Sequence, residues 1–252
     1  MEKKAKTVSI LIPVYNAERY VEQTIVSILN QTARATEIVV YDDGSTDGSL
    51  DVVRRFERKG PDGRNIPIRI VIGEKNMGIG FARRRLVEEA KSDYACFISS
   101  DDFMHPEYVE TMLREAESHP KAILYSDYDV VNENGMYLRS FKADTYECYE
   151  DWMMSIIFKA HNDTMSVNYN IFAPTELLKK NNFNESLRFG EDLEHLLRCV
   201  FINKVQYHHI PKVLFTIRAH PDSVTSKKMD EIRANNKSIF DSVNLKMRRQ
   251  IL

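Results

Sequence analysis

The feature that most limits the fold of this chain is an unbroken apolar, β-rich run, VSILIPVY, at residues 8–15. A strand without alternating polar residues is typical of a parallel sheet, in which both faces of the strand are buried. Similar β-rich segments recur in EIVVYDD, IPIRIVIGE and YACFISSDD, and a helical pattern separates each one from the next. This β-α-β-α-β-α-β order predicts an α/β fold with a mostly parallel central sheet flanked by helices.

The second half of the chain has a less regular pattern. It predicts a helix in PEYVETMLREAESHP, followed by a strand and a hairpin around Asn134-Gly135. Later segments are predicted as helices near residues 148–160, 174–181 and 191–203, a strand pair near 204–217 and one helix from about residue 228. No linker separates the halves, so we predict one domain over residues 1–225 on one continuous sheet, with a helical extension at 226–252.

Composition is that of an ordinary globular domain. The 252 residues are 43% hydrophobic and 29% charged, and the net charge of -2 provides no basic field to attract nucleic acid. The apolar run behind the charged N-terminus is short and broken by Pro13, so we expect neither a signal peptide nor a membrane span there. Three widely spaced cysteines, Cys96, Cys148 and Cys199, form no CxxC or zinc pattern, which indicates reduced thiols in a cytoplasmic protein.

Acidic residues stand where two of the predicted strands end. Asp42 and Asp43 follow the second strand, and Asp101 and Asp102 follow the fourth. Because the carboxyl ends of parallel strands meet at one edge of a sheet, we expect both pairs to share a crevice there. Adjacent carboxylates repel each other and are costly to bury without a positive partner. Mg²⁺ and Mn²⁺ take carboxylate oxygens and leave other positions to phosphates, so the pattern predicts a metal and diphosphate site.

Arginines and glycines that precede the fourth strand bear on the same site. The cluster Arg83-Arg84-Arg85 opens the third helix, and we expect one of these arginines to reach a phosphate. The segment GIGFAR at residues 78–83 lacks the third glycine of a dinucleotide-binding motif and follows the third strand, so it does not indicate such a site. Turn formation and helix capping compete as explanations for acids at strand ends. That alternative applies to Asp47 and Ser49, and it stays open for Asp43.

Four segments, taken in order, resemble the inverting glycosyltransferases of family 2. They contain VSILIPVYN, VYDDGSTDG, FISSDD and FGEDLE, and they resemble the family's opening strand, its nucleotide-binding loop, its DxD-type metal site and its acceptor-side Glu-Asp pair. The resemblance extends over roughly residues 7–225. It implies a GT-A fold, which is a Rossmann-like, mostly parallel central sheet flanked by helices with a smaller acceptor-side region. It also divides the domain into a nucleotide-binding half at about 1–130 and an acceptor-binding half at about 131–225.

The resemblance also implies roles for individual residues on the donor side. It places the nucleotide against six residues, with the ring of Tyr15 packed on the nucleobase: Pro13, Val14, Tyr15, Asp43, Arg83 and Asp101. Asp43 would hydrogen-bond the base or the ribose, and Asp101 would meet the ribose or the metal shell. The divalent metal, Mn²⁺ or Mg²⁺, would be bound by Asp102.

Two further roles are implied for residues late in the chain. Asp192, which follows Glu191, would be the general base that takes a proton from the acceptor hydroxyl. The segment IRAHPDSVT resembles a loop that folds over the diphosphate, so that Arg218 or His220 would contact phosphate or metal. We expect His220 to be a metal ligand.

Two positions depart from the family pattern. Ser99 stands where many members have the first acid of an Asp-x-Asp-Asp motif, and we expect this change to alter metal affinity or nucleotide preference. Because Asp101 and Asp102 remain, we do not infer an inactive relative. The family's Ala-Arg-Asn-x-Gly segment appears as ARRRL at residues 82–86, in which only the alanine and Arg83 keep their places.

The resemblance implies a metal-assisted, inverting glycosyltransferase that moves a sugar from a nucleoside-diphosphate sugar to a hydroxyl group of a glycan or lipid-linked acceptor. UDP is the expected nucleotide because it is common in the family. One alternative is a non-catalytic protein that binds nucleotide sugars or acts as a scaffold, for which Ser99 is the only support. A less favoured alternative is a sugar-nucleotide pyrophosphorylase, which usually has a glycine-rich phosphate loop where this chain has PVYNAE.

The C-terminal helix offers two interpretations. Its apolar positions, such as Ile239 and Val243, lie among basic residues, which would suit peripheral contact with the anionic inner surface of a membrane. Packing on the domain, or self-association into a homo-oligomer, is the favoured interpretation.

Overall fold

The structure is a computed structural model, and it describes residues 5–57, 66–142 and 170–251. The helix predicted near 148–160 lies outside the described residues. The first half follows the predicted alternation: β1 (Val8–Val14), α1 (Val21–Leu29), β2 (Glu37–Asp42), α2 (Ser49–Phe56), β3 (Ile68–Ile72), α3 (Ile79–Glu89) and β4 (Tyr94–Phe97). Every residue of β1 is buried, as its unbroken apolar sequence predicted, and β2 and β4 pair with it in parallel on either side.

The second half adds five strands and five helices among the described residues. In chain order they are β5 (Phe103–Met104), α4 (Tyr108–Ser118), β6 (Ile123–Asn132), β7 (Tyr137–Phe141), β8 (Phe172–Pro174), α5 (Thr175–Lys180), α6 (Glu191–Leu197), β9 (Tyr207–Ala219), α7 (Val224–Lys227) and α8 (Met229–Ile251). A π-helical turn, Arg198–Ile202, extends α6. The hairpin between β6 and β7 turns at Gly135, whose φ of 81° is available to glycine at little cost.

One sheet runs through both halves, in the order β3-β2-β1-β4-β8-β6-β9-β5, with β7 paired to β6. Strands β1 to β4, β6 and β9 share one direction, whereas β5, β7 and β8 run against it. The predicted fold class, a mostly parallel sheet flanked by helices, is therefore confirmed. So is the prediction of one continuous sheet.

The strand pair predicted near 204–217 is wrong, because the segment forms the single strand β9. It pairs in parallel with β6 from Ile123 to Asn132, and the register shifts where Ser126 faces Ile210 and Asp127 faces Val213. The shift leaves Pro211 out of the ladder, where its missing N–H costs no hydrogen bond. Pro211 is therefore a local irregularity within one long strand.

Apolar side chains form one core on each face of the sheet and a third, smaller cluster. The first core lies under α1, α2 and α4, and the second under α3 and α5. The third cluster joins α6 and its π-helical turn to α8 through seven buried residues: Leu193, Leu196, Leu197, Val200, Phe201, Ile239 and Val243. The C-terminal helix therefore packs on the domain, which is the interpretation that the sequence favoured. Within the described ranges, no helix is long and apolar enough to cross a bilayer.

Candidate active site

The carboxyl ends of β1 and β2 form the first wall of a crevice. Val14 faces Asp42 in the parallel register, and the N–H of Asp43 donates to the Val14 carbonyl at 2.8 Å. The first residue beyond β1, Tyr15, is 46% exposed, whereas Pro13 and Val14 are buried. The ring of Tyr15 therefore lies open at the edge of the sheet, where it is available for a flat partner to pack against.

Asp43 connects this wall to the loop that precedes α3. Its two carboxylate oxygens accept the N–H groups of Met77 at 2.9 Å and Gly78 at 2.8 Å. The side chain is buried, and this burial raises its pKa although the two N–H donors oppose the change. Gly44, next in the chain, has a φ of 72°, and a Cβ there would lie 2.7 Å from the backbone of Lys75. Asp43 and Gly44 therefore hold the two loops in close contact, and a direct contact of Asp43 with nucleotide stays a prediction.

Asp102, which follows β4, is enclosed by protein groups. Its Oδ1 accepts the backbone N–H of Arg218 at 3.0 Å, and its own N–H donates to the Ser99 carbonyl at 3.2 Å. Burial, together with the neighbouring charge of Asp101, raises the pKa of Asp102 well above its ordinary value. The side chain of Ser99, which departs from the family pattern, opposes this rise in pKa.

Asp101 stands beside Asp102 but remains one-quarter exposed. Its Oδ2 lies 2.9 Å from Nε2 of His220, a residue that is itself almost fully buried. The His220 ring packs against Tyr20 with the ring centroids 4.3 Å apart. Within the described residues the Nδ1 atom of His220 has no hydrogen-bond partner. The structure thus brings together Asp101 and His220, two predicted site residues that lie 119 positions apart in the chain.

Arg218 supplies the positive charge that two adjacent carboxylates require. Its Nε donates to the Asp101 carbonyl at 3.1 Å, and its guanidinium also donates to the Glu133 carbonyl and to the Gln23 side chain. The guanidinium lies over the rings of Tyr20 and Phe103. Through these contacts, Arg218 holds the end of β9 against Asp101 and Asp102.

Glu191 and Asp192 begin α6 on the other side of the crevice. Gly190, the residue before them, has the left-handed φ of 73°, and a Cβ there would lie 2.8 Å from side-chain atoms of Asn236 and Ile239 on α8. Glu191 is buried and pairs with Arg83 of α3, with Oε1 and Nη1 2.7 Å apart. Asp192 is partly exposed. Burial raises its pKa, although the Arg83 charge opposes this.

The three arginines predicted to open α3 lie in the middle of this helix, and all three pair with carboxylates of the protein. Arg83 is 7% exposed, and its guanidinium lies over the rings of Phe97 and Phe183 as well as against Glu191. Arg84 and Arg85 both pair with Glu88 at the surface. A direct contact between Arg83 and nucleotide stays a prediction.

An exposed cation near the first wall was not identified from the sequence. Arg188 donates to the side chain of Asn76 at 2.8 Å, and its Cα lies 3.4 Å from where a Cβ on Gly78 would be. The Arg188 charge also opposes the rise that burial causes in the pKa of Asp43. The only signal in the sequence was its position in the acceptor-side segment, three residues before Glu191.

The buried Glu191 predicts a specific dependence of stability on pH. Burial and the nearby Asp192 raise its pKa to about 7, against the opposing charge of Arg83. A carboxyl whose folded-state pKa is raised contributes stability that is complete below its unfolded-state pKa and is lost as pH rises through the folded-state value. We therefore expect the free energy of unfolding of the wild type to fall, relative to that of Glu191→Gln, as the pH rises through about 7.

Urea unfolding of both proteins at several pH values between about 4.5 and 8 measures this difference. The surface variant Glu88→Gln is the control, because Glu88 is about one-third exposed and pairs with two arginines at the surface. If the free energies of unfolding of the wild type and Glu191→Gln changed in parallel over this whole pH range, the assignment of a raised pKa to Glu191 would be wrong.

Comparisons with known proteins bear on this site. The model of the family described as "Glycosyl transferase family 2" matches residues 9–175, more than half of the chain. Chondroitin synthase of Pasteurella multocida is 29% identical over 96% of this chain, but the match covers 23% of that protein. The putative glycosyltransferase EpsH of Bacillus subtilis is 25% identical over 93% of this chain and 67% of its own length.

Solved structures show the same fold. Residues 1–349 of TarS from S. aureus, in complex with UDP-GlcNAc, match with a TM-score of 0.69 and 20% sequence identity, over 94% of this chain and 71% of that one. The same TarS segment has also been solved in complex with UDP. At this level of identity the likeness identifies the fold alone, and it agrees with the GT-A architecture predicted from the sequence.

Proposed function

This chain belongs to glycosyl transferase family 2, and on that premise we propose that it transfers a sugar from a nucleoside-diphosphate sugar to a hydroxyl group of a glycan or lipid-linked acceptor. TarS, which shares the fold, was solved with UDP and with UDP-GlcNAc, so we propose a UDP-sugar as the donor. Several relatives are named as synthases of polysaccharides, which supports a carbohydrate acceptor.

The observation that carries this proposal is the position of the acidic residues on one edge of the sheet. Strands β1, β2 and β4 are parallel neighbours, so Tyr15, Asp43 and Asp101 follow strand ends that lie side by side. Helix α3 also begins at this edge, and the contact of its Arg83 with Glu191 supports a position of the Glu191–Asp192 pair beside the same crevice. Ligands of open parallel sheets bind in such a crevice.

We propose that Asp101 and His220 are the direct ligands of a divalent metal. A partly exposed carboxylate and an imidazole nitrogen 2.9 Å apart form a donor set that suits Mn²⁺ and accommodates Mg²⁺ less well. Asp102 is buried and accepts the Arg218 N–H, so in this proposal it orients the loop, and its predicted role as a ligand stays a prediction. When bound, the metal would offset the negative charge that collects on the departing diphosphate.

In this proposal, other residues of the chain bind the donor, accept the proton and position the base. Tyr15 packs on the nucleobase, while Asp43 holds the loop of Met77 and Gly78 against the donor. Asp192 takes the proton from the acceptor hydroxyl as that oxygen attacks the anomeric carbon. Attack from the side opposite the diphosphate inverts the anomeric configuration, and a single base is sufficient because no covalent intermediate forms. The Arg83–Glu191 pair holds the first turn of α6, and with it Asp192, in place.

A thermal-shift screen of UDP, GDP, TDP and CDP, each with and without Mn²⁺, tests the donor and metal assignments. We expect UDP with Mn²⁺ to raise the Tm, because a ligand that binds only the folded state stabilises it by about 2.7 kcal/mol at a hundred times its Kd. Asp101→Asn and His220→Gln should each lose the part of the shift that depends on Mn²⁺. Asp51→Asn, an exposed substitution on α2, is the matched control and should keep it.

Transfer itself is measured with radiolabelled UDP-sugars and a panel of glycan and lipid-linked acceptors. Metal-dependent nucleotide binding without transfer or donor hydrolysis would favour a protein that only binds nucleotide sugars. The absence of a shift with every nucleotide and metal pair would contradict the proposed donor site.

A further inference from the structure

A cluster of metal-binding side chains lies at the edge of the sheet opposite the candidate active site. Glu115 and His119 are at the end of α4, and His208 is near the start of β9, where it pairs in register with Leu124 of β6. One donor atom from each of the three residues lies within 4.8 Å of those of the other two. All three residues are partly exposed, so an ion can reach them from solvent.

The backbone holds these three residues close together. Glu115 and His119 are four positions apart on α4 and its C-cap, a spacing that puts two ligands on one face of a helix. The turn after α4 is closed by a hydrogen bond of 3.1 Å from the Ala122 N–H to the His119 carbonyl. The N–H of Ile123 donates to Gln206 at 2.9 Å, which joins the start of β6 to the segment before His208. The cluster is therefore built on regular structure, which favours a defined ligand geometry.

The side chains leave donor atoms available. Nδ1 of His119 lies 3.2 Å from the Glu115 carbonyl, and donating to that carbonyl leaves Nε2 free to coordinate. The rings of His119 and His208 are stacked, with centroids 3.5 Å apart and an interplanar angle of 17°. One nitrogen of each ring lies within 4.8 Å of the other and of a Glu115 carboxylate oxygen. Among the described residues, the ion pair of Glu115 is a 3.5 Å contact with Arg114 at the surface, which a divalent ion can replace.

We propose that Glu115, His119 and His208 bind a zinc ion that joins the end of α4 to the start of β9. Two imidazoles and one carboxylate are a set that zinc takes with a fourth position left to water, whereas Mg²⁺ prefers oxygen ligands. The donor set also differs from that of Asp101 and His220, so the two sites are expected to favour different metals. An ion at this position would stabilise the pairing of β9 with β6, because it would connect elements on either side of the β6 start.

Calorimetric titration of the metal-stripped full chain with zinc chloride alone tests the site, with Tm as a second readout. We expect one zinc ion per chain and an increase in Tm that EDTA reverses. His119→Gln and His208→Gln should each abolish the binding and the shift, and Glu115→Gln should weaken both. The control is Glu117→Gln, on the same helix but outside the cluster, which should bind like the wild type.

Comparison of the apo proteins separates lost binding from lost folding. Metal-free His119→Gln and His208→Gln should melt within a few degrees of the metal-free wild type, and each should keep the UDP- and Mn²⁺-dependent shift. Equal zinc stoichiometry and affinity in the wild type and in both histidine variants would overturn the proposal. So would the absence of any zinc-dependent heat or shift in the wild type.

Discussion

Replacing Asp192 with asparagine is expected to lower the rate of sugar transfer by about 10²–10⁴-fold, the usual contribution of a general base. The amide has nearly the same shape as the carboxylate, but it cannot accept the proton of the acceptor hydroxyl. Because burial raises the pKa of Asp192, the wild-type rate should begin to fall on the acidic side at a higher pH than an exposed aspartate would give. The measurement is kcat against pH at saturating donor and acceptor.

A control variant and a binding measurement make this result specific to the base. Asp230→Asn changes a fully exposed aspartate on α8 and should leave the rate unchanged. Asp192→Asn should keep the Mn²⁺-dependent shift with UDP, because Asp192 is not assigned to the donor. A transfer rate close to that of the wild type would place the base elsewhere in the crevice.

Arg83→Met is expected to destabilise the protein by about 3–5 kcal/mol, since breaking a buried ion pair from one side leaves the other charge uncompensated. Glu191, its partner at 2.7 Å, already has a pKa of about 7, and loss of the guanidinium should raise that pKa further. The transfer rate should fall as well, because Glu191 and Asp192 share the first turn of α6. Urea unfolding at about pH 8, where Glu191 is mainly charged in the wild type, gives the largest effect.

The double variant Arg83→Met with Glu191→Met separates the ion pair from packing. Replacing both partners of a buried pair with apolar side chains is often neutral or stabilising, so the double variant should regain most of the lost stability. Arg83 also lies over the rings of Phe97 and Phe183, and methionine retains part of that apolar contact. If the double variant were as unstable as Arg83→Met alone, packing on these rings, rather than charge, would account for the loss.

The sequence predicted the first half of the fold well because its signals are local. An unbroken apolar run such as residues 8–15 indicates a strand buried on both faces without knowledge of its neighbours. The single strand β9 was wrongly predicted as a strand pair because the signal for its continuity is not local. Its continuity depends on pairing with β6 from Ile123 to Asn132, and no local pattern in 204–217 records that partner.

The site was predictable as a set of residue types but not as a set of contacts. Acids at strand ends identified Asp101 and Asp102, yet their partners Arg218 and His220 lie more than 100 positions away. One arginine of the cluster Arg83-Arg84-Arg85 was expected to reach a phosphate, but the pairing of Arg83 with Glu191, 108 positions later, was not foreseen. Such pairings depend on how distant elements pack, which neither hydrophobic periodicity nor spacing encodes.

The position of β9 in the sheet has a consequence for the order in which the protein assembles. Strands β1 to β4 are close in the chain and joined by short crossovers, so they can form their part of the sheet early. β9 must pair with β6 and β5 across long stretches of chain, and closing such loops makes folding slow. Until it does, β6 presents an unpaired edge that invites association between chains. The acid pair also lacks Arg218 and His220 at that stage, so we expect the candidate active-site edge to be completed last.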